Sequence, residues 1–336
     1  MKPYIKHITE YYPEKKFSNN DFFIKFPELK SKEETLLKVG VLSRYIVDIN
    51  VPASDLVFNA AEKLFNETNI NRNDIDFLVF CSTEFDHYTP TTSSILQNRL
   101  KLSNSIGAID VVSSCTGFVH SLSLVKGLIE ANEFKNILLL CVSTLTKTFH
   151  KKDANSHFLF GDAATAILIS NRVEDGIGKF VFGTDGGRSD YIIVRDGGGR
   201  NKLTEQSFLE EENEYGNTTC NANFFMNGTG VFLFGLKTVP KLIDEILFKN
   251  NTTFEEVDYF VFHQANKFLL KTLQKKLGIP DEKFVIHMEN TGNTVAATIP
   301  IAFNSLMKND KIKKGDKILI AAFGTGLTWG GTIIKY

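Results

Sequence analysis

The sequence is poor in cysteine and tryptophan and carries almost no net charge. Four cysteines occur in 336 residues, at positions 81, 115, 141 and 220, and no two stand in Cys-x-x-Cys spacing. That excludes the usual zinc motifs and a disulfide framework, and it fits free thiols in a reducing cytosol. The formal net charge is −1, so bulk composition gives no argument for nucleic acid. No charged N-region precedes an apolar core, and no apolar run reaches the 18 or so residues a spanning helix needs. Neither a signal peptide nor a membrane span is read, and the chain is expected in the cytoplasm. Gly197-Gly198-Gly199-Arg200 lacks the Gly-Lys-Ser/Thr ending of a phosphate loop, and Gly183 to Gly187 lacks dinucleotide spacing.

What is present is a periodic α/β pattern. Near-continuous apolar strands alternate with helical stretches, which predicts mostly parallel sheets covered on both faces. The pattern also repeats. Asp74-Ile75-Asp76-Phe77-Leu78-Val79-Phe80-Cys81 resembles Glu256-Val257-Asp258-Tyr259-Phe260-Val261-Phe262-His263, and Ile137 to Cys141 resembles Ile318 to Ala322. Two packed copies of one unit are expected, residues 1–172 and 173–336. The segment from Asp185 to Thr219, rich in Gly, Asp and Glu, reads as a surface excursion.

Cys115 is the most informative residue. It follows a short apolar stretch ending in Ser113-Ser114 and precedes a helical pattern, Phe118 to Glu130. A thiol at a strand-to-helix handover meets unpaired amides and the helix dipole, which favour the thiolate. His263 stands where an apolar strand stops. Asn293 stands in Glu289-Asn290-Thr291-Gly292-Asn293-Thr294, before another small-residue helix. A thiol that carries an acyl group needs neutral donors for an enolate or oxyanion, and His with Asn supplies them.

These segments, with Phe160-Gly161-Asp162-Ala163-Ala164, Met226-Asn227-Gly228, His263-Gln264-Ala265-Asn266 and Phe323-Gly324-Thr325-Gly326-Leu327-Thr328-Trp329-Gly330, run in one order along the chain. The chain thereby resembles the beta-ketoacyl-acyl-carrier-protein synthase III (3-oxoacyl-ACP synthase III) family of the thiolase superfamily, nearly end to end. The resemblance implies a five-layered αβαβα fold and a decarboxylating condensation. An acyl group moves from a thioester to Cys115. Malonyl on acyl carrier protein then loses carbon dioxide, and its carbanion attacks the acyl-Cys115 thioester. His263 Nε2 and Asn293 Nδ2 would hold the enolate, and the Cys115 and Thr325 amides the oxyanion. Glycine is common at the Thr325 position in the family. No metal and no cofactor is implied. The partners implied are acyl carrier protein and a second copy of the chain.

Further assignments follow from the resemblance. Phe225 and Phe303 are placed in the substrate pocket, with Phe118 as pocket or core. Thr89 would reach the pocket of a dimer partner, where the family often has phenylalanine, and so leave a longer or wider space. The adenine clamp of coenzyme-A-dependent members falls on Glu34 and Ala154, and the single tryptophan, Trp329, lies elsewhere. A carrier protein is therefore expected to deliver the primer, docking on Lys267, Lys271, Lys275 and Lys276. Two rivals stand beside this reading. One is another thiolase-superfamily reaction, a hydroxymethylglutaryl-type condensation or acyl transfer to oxygen or nitrogen, with Glu84 as an extra acid or base. The other is a non-catalytic partner subunit, against which the intact Cys, His and Asn argue.

Overall fold

The computed structural model describes residues 1–174, 176–212 and 217–336. Residues 213–216 of the expected excursion lie outside that description. The first half builds a five-stranded sheet from β1 (Lys2–Tyr11), β2 (Phe77–Cys81), β3 (Gly107–Val111), β4 (Asn136–Ser143) and β5 (Ala163–Arg172), in the order β1-β5-β4-β2-β3. The second half builds a four-stranded sheet from β6 (Val181–Thr184), β7 (Tyr259–Phe262), β8 (Lys317–Gly324) and β9 (Thr328–Lys335), in the order β7-β8-β9-β6.

The expectation of mostly parallel sheets is corrected. β2 runs parallel to β3 and β4, and β7 parallel to β8, but the remaining pairings of both sheets are antiparallel. For β8 and β9 the cause is loop length. Residues 325–327 alone join β8 to β9, and a parallel return needs a crossover of a dozen residues or more. The repeat read from the sequence does appear in the topology. β2, β4, β5 and β1 correspond to β7, β8, β9 and β6. The counterpart of β3 is reduced to an isolated bridge between Phe260 and Phe284.

Six helices complete the layers: α1 (Ala53–Thr68), α2 (Thr92–Arg99), α3 (Gly117–Glu130), α4 (Gly228–Lys249), α5 (Lys267–Leu277) and α6 (Thr298–Lys308). α1 places Leu56, Val57, Ala60, Ala61 and Leu64 on one buried face, at the spacing of a helix stripe. It ends at Asn69, which is left-handed as a helix stop requires. β4 shows why both faces of the sheet must be covered. Ile137, Leu139 and Cys141 enter the core under α3 and α6, while Leu138, Leu140 and Val142 enter the core under α1. α3 and α6 form the middle layer. Val119, Leu122, Val125, Ile299, Phe303 and Leu306 share one core with strands of both sheets. α4 and α5 cover the outer face of the second sheet through Val239, Leu242, Ile246, Leu269 and Leu273. The layers are thus helix, sheet, helix pair, sheet, helix. Residue 172 is the end of β5, and the two halves on either side of it share the central core.

The excursion after Asp185 is not confined to the surface. Ile192–Val194 and Phe224–Met226 pair as short antiparallel strands, and Ile192 and Phe224 turn inward to become buried. Their apolar side chains bring the segment onto the second half.

Candidate active site

Cys115 sits just ahead of α3, and Gly117 N–H closes a turn on Ser114 C=O. Cys115 is buried, 8% exposed. It faces the β8–β9 turn at very close range. A β-carbon placed on Gly324 would lie 2.6 Å from Cys115 Cβ and 2.7 Å from Sγ, and Gly324 has φ of +157°. Only glycine permits that approach with that backbone. The next residue, Thr325, places its Oγ1 3.8 Å from Sγ. Thr328 Oγ1 donates to Thr325 C=O at 2.7 Å and lies 2.8 Å from Thr116 Oγ1, which ties the turn to the start of α3.

His263 follows β7 and keeps ladder pairing through its N–H to Ala321 C=O. Its ring stands edge-on to Phe323, with centroids 5.9 Å apart. Nδ1 lies 2.7 Å from Thr298 Oγ1, which is also 2.9 Å from Val295 C=O. The hydroxyl has one proton. When it donates to Val295, it accepts from Nδ1–H, and Nε2 is bare toward the sulfur. When it donates to Nδ1, Nε2 carries the hydrogen. Asn293 is fixed at both ends of its amide: Oδ1 accepts from Val295 N–H at 2.9 Å and Nδ2 donates to Ala265 C=O at 3.3 Å. The second Nδ2 hydrogen is left for the pocket. Val295 holds φ of +54°, a left-handed conformation rare for a β-branched residue, directly beside this amide.

The electrostatics at the sulfur oppose one another. Burial pushes the Cys115 thiol up. The His263 charge, a hydrogen bond from His263, and hydrogen bonds from the Thr325 amide and hydroxyl outweigh it and bring it down to about 7. A sizeable thiolate fraction at neutral pH is what a nucleophile needs.

Cys115, His263 and Asn293 line one pocket of about 620 Å³, part of it open to solvent. Its walls are mostly apolar. Leu145, Phe160, Ile192, Phe224 and Leu269 line it as buried residues, and the half-buried Val231, Phe232 and Asn266 form its more open side, the mouth. The rings of Phe149, Phe160 and Phe224 pack mutually at 5.5 to 5.6 Å and seal the inner wall.

Several residues expected at the site stand elsewhere. Phe303 is fully buried in the middle layer with Phe118, because α6 packs that face against both sheets. Phe225 points out of the pocket, since alternate residues of a strand face opposite ways, and the Arg195 guanidinium stacks 5.1 Å from its ring. Its neighbour Phe224 is the pocket residue. Glu84 is outside the lining and accepts from Thr144 N–H at 3.0 Å and Ser82 Oγ at 3.2 Å, so it braces the end of β4 rather than facing the sulfur. Thr89 is exposed and outside this chain's pocket. Lys267, Lys271, Lys275 and Lys276 are exposed on α5, which starts at the mouth, and Lys271 pairs with Asp281 at 2.7 Å. Trp329 packs on Phe234, away from the mouth. Leu36, close to Glu34, and Ala154 pack on one aromatic cluster around Phe22, Phe26 and Phe158. Sequence reasoning missed Thr298, the Thr325 hydroxyl, Ile192 and Phe224. The Thr298 position at the sixth place of Asn293-Thr294-Val295-Ala296-Ala297-Thr298 was the one available signal.

Among the described residues, no group of three or more His, Cys, Asp or Glu side chains is placed to hold a metal ion, and no helix is long and apolar enough to cross a membrane.

Comparison with known proteins shows the family. The family model of 3-oxoacyl-[acyl-carrier-protein] synthase III matches residues 109–186, and that of its C-terminal part matches residues 247–336. A beta-ketoacyl-[acyl-carrier-protein] synthase III of Clostridium perfringens is 35% identical over 325 residues, 96% of each chain. A crystal structure of a 3-oxoacyl-(acyl-carrier-protein) synthase III superposes with TM-score 0.97 at 35% identity, covering all of both chains. A 3-oxoacyl-(acyl-carrier protein) synthase from Burkholderia xenovorans superposes with TM-score 0.90 at 30% identity, over all of this chain and 94% of the other.

Proposed function

The chain belongs to the 3-oxoacyl-[acyl-carrier-protein] synthase III family, and from that premise we propose how its own residues carry the family's reaction. It is a condensing acyltransferase with the thiolase fold. The observation that carries the residue assignment is the meeting of Cys115, His263 and Asn293 in one largely apolar pocket.

In the first half-reaction His263 Nε2 takes the Cys115 proton. The thiolate attacks the acyl thioester, and the tetrahedral oxyanion lies against the Cys115 and Thr325 amides. The carrier sulfur leaves and recovers the proton from Nε2. In the second half-reaction malonyl on acyl carrier protein loses carbon dioxide. The enolate oxygen accepts from Asn293 Nδ2 and His263 Nε2. This step needs the Nε2–H tautomer: between the half-reactions the ring gives its Nδ1 proton to solvent and takes one at Nε2, and the Thr298 hydroxyl then turns from Val295 C=O to donate to the bare Nδ1. The carbanion attacks the acyl-Cys115 carbonyl, a carbon–carbon bond forms, and the C–S bond breaks. Each donor lost to such an oxyanion typically costs about 2.7–4 kcal/mol of barrier. Substrates arrive as thioesters, and no cofactor is assigned.

Two features bear on the primer. Glu34 and Ala154 offer no ring or guanidinium to an adenine, a contact worth about 0.5–2 kcal/mol. The α5 lysines begin at the pocket mouth, and Phe268 stacks there on Phe232, centroids 5.5 Å apart. Both favour an acidic carrier protein over coenzyme A. The partner is a second copy of the chain. β3 is a sheet edge, with Ile109 at 40%, Val112 at 68% and nearby Tyr88 at 82% exposure, apolar surface that a homodimer would cover. Because the Phe149, Phe160 and Phe224 rings seal this chain's end of the pocket, a longer or branched acyl group needs the space that the partner's Thr89 leaves. Four buried free thiols fit a cytoplasmic enzyme.

Mass spectrometry of the intact protein after incubation with a panel of acyl-carrier-protein and acyl-coenzyme A thioesters tests the reading. An acyl mass on wild type, mapped to Cys115 and absent from Cys115→Ala, is expected. A label on Cys81, Cys141 or Cys220, or an acylated Cys115→Ala protein, overturns it.

A further inference from the structure

Thr325 brings more than a backbone amide to the sulfur. Its Oγ1 is 3.8 Å from Cys115 Sγ, within hydrogen-bond reach of a large, soft acceptor. Among the described residues Sγ is the side-chain partner recorded for this hydroxyl. The residue is also held in place. Its carbonyl accepts from Thr328 Oγ1, which in turn meets Thr116 Oγ1, the residue after the nucleophile. The sulfur and the hydroxyl are therefore parts of one fixed assembly, joined from both sides.

We propose that Thr325 Oγ1–H is a third donor at the reacting centre, acting on sulfur where the two amides act on oxygen. This deepens the assignment of Cys115 as nucleophile and rests on it. The hydroxyl serves both half-reactions. Before loading it donates to the thiolate that attacks the primer. In condensation the new carbon–carbon bond forms, the C–S bond breaks, and the electron pair returns to Sγ, where the same hydroxyl receives it. A donor fixed before the charge arrives costs no reorganisation at that moment.

Besides Thr325, two features favour the thiolate: the start of α3, whose dipole Cys115 faces, and His263. His263, at the end of β7, is the titratable group whose charge acts on the sulfur. The β4 end, the segment before Gly161, the Val295 turn and β8 present Leu145, Leu159, Phe160, Val295 and Phe323. These are apolar and cannot stabilise a thiolate. The opposing effects of burial, His263 and Thr325 on the thiol agree with the arrangement.

The test is the rate of Cys115 alkylation by iodoacetamide against pH, followed by intact mass and mapped by peptide. Wild type, Thr325→Val, Thr325→Ala and Thr325→Ser are compared, each first checked for a cooperative melt. Val and Ala remove the hydroxyl with different volumes, and Ser keeps it. The expected midpoint rises by about one unit in Val and Ala, which leaves about tenfold less thiolate below it, while Ser stays with wild type. Profiles of Val and Ala superposing on wild type overturn the proposal. So does Ser shifting along with them, since that assigns the effect to packing. Alkylation that persists unchanged in Cys115→Ala overturns the nucleophile assignment itself, whatever the Thr325 variants do.

Discussion

Gly324→Ala isolates how closely the β8–β9 turn must approach the nucleophile. The added methyl would stand 2.6 Å from Cys115 Cβ and 2.7 Å from Sγ. Carbon atoms in favourable contact lie about 3.5–4.0 Å apart. Either the turn or the thiol must therefore retreat by about 1 Å. A displacement of that size at a reacting centre costs about 10²-fold in rate. Overpacking of a buried site costs a further 1–3 kcal/mol or so of stability. The backbone adds to this, because φ of +157° is a region that alanine avoids. The assay is single-turnover acylation by intact mass, beside a thermal melt. The expected result is a folded protein with a lower melting temperature and loading slower by about two orders of magnitude. Loading within about threefold of wild type at unchanged stability would refute the reasoning, because it would mean the turn does not fix the sulfur.

The remaining predictions separate the other parts of the site. His263→Ala and Asn293→Ala should each slow malonyl decarboxylation by about 10²–10³, far more than they slow acyl loading for Asn293, measured as separate half-reactions. Equal loss of both half-reactions in Asn293→Ala would make it an activator of the thiol instead. Thr89→Phe should shorten the longest acyl group loaded while leaving short donors little changed, and kcat/KM across chain lengths reads this directly. A wild-type preference for acetyl-coenzyme A over medium-chain carriers would contradict the carrier and pocket assignments together. Lys275→Glu with Lys276→Glu should raise KM for carrier-borne donors and flatten its salt dependence, with coenzyme A donors unaffected. Equal effects on both donor classes would remove α5 as the docking face.

That Cys115, His263 and Asn293 would come together was legible because each stands at the end of an element whose periodicity is plain. Apolar runs mark β7 and α3, and the break between pattern and small residues marks where a side chain is freed from packing. The pocket walls were not legible. Phe224 and Phe225 are adjacent phenylalanines in a three-residue strand, and one register step decides which of them faces in. Phe303 has the composition of a pocket residue, yet it belongs to α6, whose both sides are covered by sheets. Strand direction failed for a similar reason. A buried strand reads the same whether its neighbour runs with it or against it, and only at β8–β9 does the three-residue loop give the direction away. Thr298 and the Thr325 hydroxyl are small polar side chains, and their roles exist only in three dimensions.

The duplication accounts for where the chemistry sits. Cys115 precedes α3 and Asn293 precedes α6, so the two middle helices present equivalent ends to one site. His263 ends the strand that corresponds to β2, and its counterpart there is Cys81. That thiol faces Ser113 C=O at 3.8 Å beneath the Cys115 turn and is fully buried. One copy of the repeat therefore turns its strand end into the pocket, and the other packs it beneath the elbow. The imbalance follows from what each half adds. The second half alone carries the inward pair Ile192–Val194 and Phe224–Met226, which walls a cavity beside its own strand ends. The second copy thus contributes the wall of the Cys115 pocket through Ile192 and Phe224, and His263 rather than Cys81 is the strand-end residue that lines it.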